Sequence, residues 1–257
     1  MPTAPNHSAL KRRLDRYFWN NATAEMTHLK AAFDQYFVSF ERVAVIGGLV
    51  RDFAREGRSG FRSDVDLVID APDVEVTQLA QRLGASPNRF GGYGYKEGPW
   101  KIDFWALETT WARQHVPIHK LEDVVAGTFF DWDAVAYDLW ERRLICADGY
   151  LDRIRQRTLD INLRANPSPM GNLVRTIRRL VLWQVYPGPQ LRNFIDEHLN
   201  DVALRFVQAK ERELFSHHIS TVWRSADEAR DYLFFNQMRT NCRQFEFIFR
   251  DTFDGVS

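Results

Sequence analysis

Cysteine is almost absent: Cys146 and Cys242 are the only two in 257 residues. They lie far apart and lack metal-ligand spacing, which argues against a disulfide framework and for a reducing cytoplasm. Net charge is missing too, since 34 Lys and Arg balance 34 Asp and Glu. No whole-molecule field advertises nucleic acid, so local patches must carry any such attraction. The N-terminal stretch MPTAPNHSALKRRLDRYF has no apolar centre of the kind a signal peptide needs. No run approaches the ~20 apolar residues required to span a bilayer. Internal repeats and low-complexity tracts are lacking as well. These absences give the expectation of a cytoplasmic chain with no membrane partner.

What is present describes a packed protein. The hydrophobic fraction is 45%, with eight tryptophans, and the length suits one large domain or two small ones. Leu10, Leu14, Phe18, Leu29, Phe33 and Phe37 recur at helical spacing and predict helix over 8–38. RVAVIGG and DVDLVID read as strands, rich in valine and isoleucine. DVEVTQLAQRL, 73–83, reads as a helix closed by Gly84. The stretch 89–107 suggests two strands joined by a Gly-Pro turn, and 131–148 a short helix followed by a strand and turn. From about residue 150 the pattern is helical: YLDRIRQRTLDINLRA and MGNLVRTIRRLVLWQV are separated by the breaker NPSP, and helical periodicity continues over 189–250. The expectation is an α/β head of mixed sheet flanked by helices, 1–148, followed by an α-helical neck and C-terminal region, 149–257.

The chemistry concentrates in residues 43–70. Alternate residues of a strand share a face, roughly 6–7 Å apart, so Asp64 and Asp66 point one way while Val65, Leu67 and Ile69 point the other. Two carboxylates on one face repel unless a cation lies between them, and hard oxygen ligands suit Mg²⁺. A solvated strand face is the plain alternative for an isolated D-x-D. Upstream, Gly47 and Gly48 follow an apolar strand and precede a helix, a context in which backbone N–H groups bind anions. Arg51 lies in the first turn of that helix, within reach of a phosphate. Asp103 adds a third acid in WKIDFWAL, where Lys101, Asp103 and Trp105 share one face and Ile102 and Phe104 the other. A buried, hydrogen-bonded aspartate is the alternative there.

GGLVRD followed by DVDLVI resembles the signature of class II CCA-adding enzymes and bacterial poly(A) polymerases, nucleotidyltransferases of the DNA polymerase β superfamily. Residues 47–66 match every fixed position of G-G-x-V-R-D, spacer, D-x-D. The resemblance implies a nucleotidyltransferase head and Asp64 and Asp66 as ligands of two Mg²⁺ ions, with Mn²⁺ as a substitute. It gives Asp103 a third-carboxylate role and places Gly47, Gly48, Arg51 and Asp52 at the nucleotide.

Downstream the likeness loosens. The family's R-R-D-F-T-x-N-A motif corresponds to GTFFDWDA, with Gly127, Thr128 and Phe129 in place of both arginines and the aspartate, and Asp133 at the asparagine position. DGYLD, 148–152, resembles the segment leading into the neck. The nucleotide-selecting E-D-x-x-R motif falls on GNLVR, where Arg175 is retained and Gly171 and Asn172 replace the acids. An asparagine amide both donates and accepts, so Asn172 still suits a base edge.

Seven arginines and one acid, Asp160, lie between Arg153 and Arg179. Arg175, Arg178 and Arg179 fall on one helix face by spacing, suited to triphosphate or an RNA backbone, or else to a solvated face. The resemblance favours Arg175 and Arg178 as nucleotide contacts. His115, His119, His217 and His218 read as loop or surface residues.

The resemblance thus implies transfer of a nucleoside monophosphate from an NTP to an acceptor hydroxyl, most readily an RNA (tRNA) 3′ end and not DNA. The departures suit a specialised enzyme of toxin or defence type. Transfer to a protein or small molecule is one alternative, and a non-catalytic RNA- or nucleotide-binding protein on the same head is another.

Overall fold

The computed structural model describes residues 2–21, 23–57, 64–88 and 90–235. Two compact units compose it, Met1–Ile154 and a second from Arg155 onward.

The first unit begins with α1 (His7–Trp19) and α2 (Ala24–Ala32), which runs into a π-helical turn at Phe33–Phe37. The expected helix over 8–38 is therefore broken. Asn20 ends α1, and the Asn21 side chain accepts from the Thr23 backbone N–H at 3.4 Å. Asparagine competes with the helix for its own backbone groups, which is why the break falls there.

Then follow β1 (Val43–Ile46), α3 (Gly48–Arg55), β2 (Val65–Ile69), α4 (Asp73–Leu83), β3 (Ser86–Pro87), β4 (Tyr93–Glu97), β5 (Trp100–Ala106), β6 (Val135–Asp138), β7 (Arg143–Cys146) and α5 (Tyr150–Arg155). The seven strands form one sheet in the order β3-β4-β5-β2-β1-β6-β7. β2 and β5 are parallel; every other pair is antiparallel. The sheet is mixed, as expected.

Val43, Val45, Val65, Leu67, Val68 and Ile69 are fully buried, as residues of central strands covered by helices must be. Phe37 meets Phe104 edge-on at 5.7 Å, and Phe18 stacks on Tyr137 at 5.6 Å, tying the N-terminal helices to the sheet. Each such ring contributes about 1.5–3 kcal/mol by burial.

The short helix expected early in 131–148 is a single turn at Asp131–Asp133, and Val135–Asp138 is strand β6 between β1 and β7. All four of its residues are buried, so the period-two alternation that reveals a half-exposed strand is absent. Helix after Tyr150 is also shorter than expected. It stops at Arg155; Arg157 takes a left-handed φ of 55°, and Thr158–Leu159 (β8) pairs in parallel with Tyr186–Pro187 (β9).

The second unit holds α6 (Pro169–Trp183), α7 (Pro189–His198), α8 (Asp201–Leu214) and α9 (Ala226–Phe234). Proline occupies the first turn of α6 and α7, where its missing N–H costs nothing. Asn200 caps α8, accepting from Val202 and Ala203 N–H at 3.0 Å each, and Ser225 caps α9. α6 packs against α7, α8 and α9 through a buried stripe that includes Leu173, Ile177 and Leu180. No described helix is long and apolar enough to cross a membrane. The helical periodicity expected over 236–250, the aromatics at 245–249, Cys242 and the spacer 58–63 lie outside the described residues.

Candidate active site

β1 delivers the chain to Gly47, whose φ of 63° and ψ of −120° suit glycine alone. Its N–H donates to the Val135 carbonyl at 3.0 Å, and its carbonyl accepts from Arg51 N–H at 2.9 Å, starting α3. The space where a Cβ would stand is open, with no atom within 4 Å. Gly48 is the first residue of the helix.

Asp66 and Asp103 lie on neighbouring parallel strands, and Asp64 immediately precedes the first of them. β2 and β5 pair with Asp66 opposite Asp103 and Val65 opposite Ile102. By alternation, Asp64 and Asp66 on one strand share a face with Lys101 and Asp103 on the other. Lys101 Nζ donates to Asp64 Oδ2 at 3.0 Å and lies 3.2 Å from Asp103 Oδ2. No hydrogen bond or ion pair reaches the Asp66 carboxylate among the described residues. Desolvation, then the charges of Asp103 and Asp64, push the Asp66 carboxyl up to about 7, against the opposing pull of Lys101. Among the described residues, no group of three or more His, Cys, Asp or Glu side chains converges in the manner of a finished metal site. The donor chemistry nevertheless fits a hard divalent cation: an unpaired, desolvated carboxylate beside two others is stabilised by positive charge.

Arg51 is anchored by two neighbouring acids. Its guanidinium is buried and bonded to Asp52 at 2.8 Å and to Asp133 at 2.5 Å. Burial opposes its charge, but Asp52 and Asp133 outweigh this and raise its pKa. Asp52 and Asp133 thus hold Arg51, joining α3 to the turn before β6. Asp133 also adds to the negative field at Asp66.

Asn172, Arg175 and Arg178 lie on α6 of the second unit. Asn172 is buried and its Oδ1 is 3.4 Å from Arg175 Nη1; Arg175 is exposed. Arg178 is buried, pairs with Glu211 at 2.7 Å, donates to the His217 carbonyl at 2.9 Å and lies 3.6 Å over the Phe215 ring. Arg179 is half-buried against Trp183, 5.0 Å from its ring centre. The expected basic face of three arginines therefore reduces to Arg175, because the inward side of α6 extends to Arg178. Of the histidines, His115, His119 and His218 are exposed, and His115 lies against Trp111 at 4.5 Å.

Two residues at the acids escaped the sequence reading. Lys101 shows its parity with Asp103 in the sequence, but its contact with Asp64 needs the β2–β5 register. Gly94 faces Asp103 across the β4–β5 ladder, and an added Cβ would come to 2.5 Å from Asp103 Oδ1. No sequence signal distinguishes it from the neighbouring glycines of the FGGYGY stretch.

No family model and no curated protein matches the chain. Solved structures do match. A CCA-adding enzyme in complex with CTP is similar at 17% identity and TM-score 0.56, over 84% of this chain and 52% of that one. A complex of a CCA-adding enzyme with ATP is similar at 16% identity and TM-score 0.54, over 78% and 50%. The Thermotoga maritima CCA-adding enzyme complexed with tRNA is similar at 18% identity and TM-score 0.50, over 80% and 48%. The chain spans about half the length of these proteins. With its mixed seven-stranded sheet followed by helices, it has the fold of the CCA-adding enzymes, a nucleotidyltransferase head continued by an α-helical region.

Proposed function

We propose that this chain is a divalent-metal-dependent nucleotidyltransferase that moves a nucleoside monophosphate from an NTP to the 3′-hydroxyl of an RNA, with tRNA as the first candidate. The observation that carries the reading is the alignment of Asp66 with Asp103 on adjacent parallel strands, with Asp64 on the same face. A glycine turn into a helix N-terminus stands on the neighbouring strand β1, in the arrangement that favours a phosphate. Neighbours of the same fold bind CTP, ATP and tRNA, which supports the choice of substrates.

Asp64 and Asp66 would hold the metal, which supplies charge neutralisation at the triphosphate and at the attacking oxygen. Asp103 would accept the hydrogen bond of the acceptor hydroxyl and take its proton. The hydroxyl oxygen then bonds to the α-phosphorus while the bond to the β-phosphate breaks and pyrophosphate leaves. Gly47 and Gly48 would present backbone to the triphosphate. Asn172 and Arg175 would meet the base, while Arg51, Asp52, Asp133 and Arg178 hold the elements in place. Placement and electrostatics account for most of the acceleration in such chemistry. A specialised role, of toxin or defence type, rests on the altered motifs at 127–133 and 171–172 alone.

The test is incubation with each labelled NTP, Mg²⁺ and either tRNA or total RNA. The reading expects label in RNA and release of pyrophosphate, both lost in Asp64→Ala and Asp66→Ala. Transfer that survives both substitutions overturns the site, and no transfer with any NTP or acceptor overturns the function.

A further inference from the structure

A lysine stands among the three acids where a cation would otherwise be required. Lys101 Nζ lies 3.0 Å from Asp64 Oδ2 and 3.2 Å from Asp103 Oδ2, a bridge between two carboxylates on different strands. The backbone brings the partners of this bridge side by side. In the β2–β5 register Asp66 faces Asp103 and Val65 faces Ile102, which brings Asp64 beside Lys101. Strand alternation turns Lys101 and Asp103 to the same side. Asp66 is the acid left without a partner among the described residues.

Resting on the reading of these acids as the metal-holding group, we propose that Lys101 is a built-in cation that fills the position between Asp64 and Asp103, so that the site takes one divalent ion, held by Asp66 with the other oxygen of Asp64, rather than two. A metal bound by both Asp64 and Asp103 at ~2.0–2.1 Å would compete for the same oxygens that Lys101 holds and would repel the ammonium at close range. One ammonium and one divalent ion together match the charge of the three carboxylates. Lys101 is on this account a positioning residue: it holds the Asp103 carboxylate toward Asp64 without touching the transferred group.

The experiment counts Mn²⁺ bound to the full chain by electron paramagnetic resonance, with a non-hydrolysable ATP or CTP analogue present. The count of an Asp64→Asn, Asp66→Asn double variant under the same conditions is subtracted. The proposal expects one ion for the wild type, one for Lys101→Arg, and two for Lys101→Met, the second pair giving the broadened spectrum of coupled Mn²⁺. Two ions in the wild type overturn it and leave the metal-dependent reading standing. A single ion in a folded Lys101→Met overturns it as well. No excess over the double variant overturns the proposal and the metal-dependent reading together. The wild-type count decides between one ion and two even if Lys101→Met does not fold.

Discussion

Gly94 lies directly across the β4–β5 ladder from Asp103, and a methyl group at Gly94 would come within 2.5 Å of the Asp103 carboxylate oxygen. The atom it meets is the end of a flexible side chain, so the fold can yield there at little cost. Gly94→Ala should therefore turn Asp103 out of line and reduce transfer about 10- to 100-fold, the scale of a misplaced reacting group, while its melting temperature stays close to the wild type. Gly92→Ala gives the contrast. Its Cβ would meet the Phe104 carbonyl at 2.7 Å and Trp105 Cβ at 2.9 Å, so the cost falls on the backbone, about 1–3 kcal/mol of stability. Parallel thermal melts and transfer assays check both; equal losses of stability would remove the distinction.

Asp66 makes the metal-free protein sensitive to pH. Its carboxyl is raised from 3.8 to about 7 by desolvation and by Asp103 and Asp64. The folded state then binds more protons than the unfolded chain between those values. The stability associated with protonated Asp66 is fully present below 3.8 and is lost as pH rises through about 7. Asp66→Asn should abolish this loss, melting above the wild type at pH 8 by about 1–3 kcal/mol after discounting for solvent screening, and level with it at pH 3.5. Mg²⁺ at pH 8 should stabilise the wild type and leave Asp66→Asn unmoved. Denaturant titrations with and without Mg²⁺ measure both.

Arg51 separates a supporting role from a phosphate-binding one. Removing its guanidinium leaves Asp52, which is 3% exposed, and Asp133 without their shared cation, although Arg55 remains 3.8 Å from Asp52. Arg51→Ala should cost about 3 kcal/mol or more in urea unfolding, and adding Asp133→Asn should return part of it. A variant of unchanged stability with a raised KM for NTP would instead assign Arg51 to the triphosphate.

The part of this fold that carries the glycine turn and the acids was legible because glycine and aspartate report backbone geometry directly. Gly47 marks the reversal after β1, and the D-x-D parity gives the face shared by Asp64 and Asp66. Gly84, with φ 61°, ends α4 where the sequence places it. Relationships set by tertiary pairing were not legible. Lys101 meets Asp64 only through the β2–β5 register, and β6 hides because both its faces are buried. Arg51 has the spacing of a phosphate ligand, yet Asp133, 82 residues away, takes its guanidinium. Helical spacing on α6 groups Arg178 with Arg175, but spacing does not reveal that Glu211 waits on the inner side.

That buried pair yields the last prediction. Glu211 is fully buried, with one carboxylate oxygen on Arg178 at 2.7 Å and the other accepting from the Ser220 N–H at 2.7 Å and hydroxyl at 2.5 Å. Arg178 in turn holds the His217 carbonyl and covers Phe215, so the pair ties α6 and α8 to the 215–220 segment. Arg178→Ala strands a buried carboxylate and should cost about 3–5 kcal/mol. Arg175, one turn away, is exposed. Arg175→Ala should change stability by no more than ~0.5 kcal/mol. If Arg175 meets the nucleotide, losing a charge-assisted contact of about 1.5–3 kcal/mol should raise KM for NTP roughly 10- to 100-fold. Urea unfolding and steady-state kinetics on the two variants give opposite patterns under this reading. A folded Arg175→Ala with wild-type KM would remove Arg175 from nucleotide recognition and leave Asn172 as the one candidate base contact on α6.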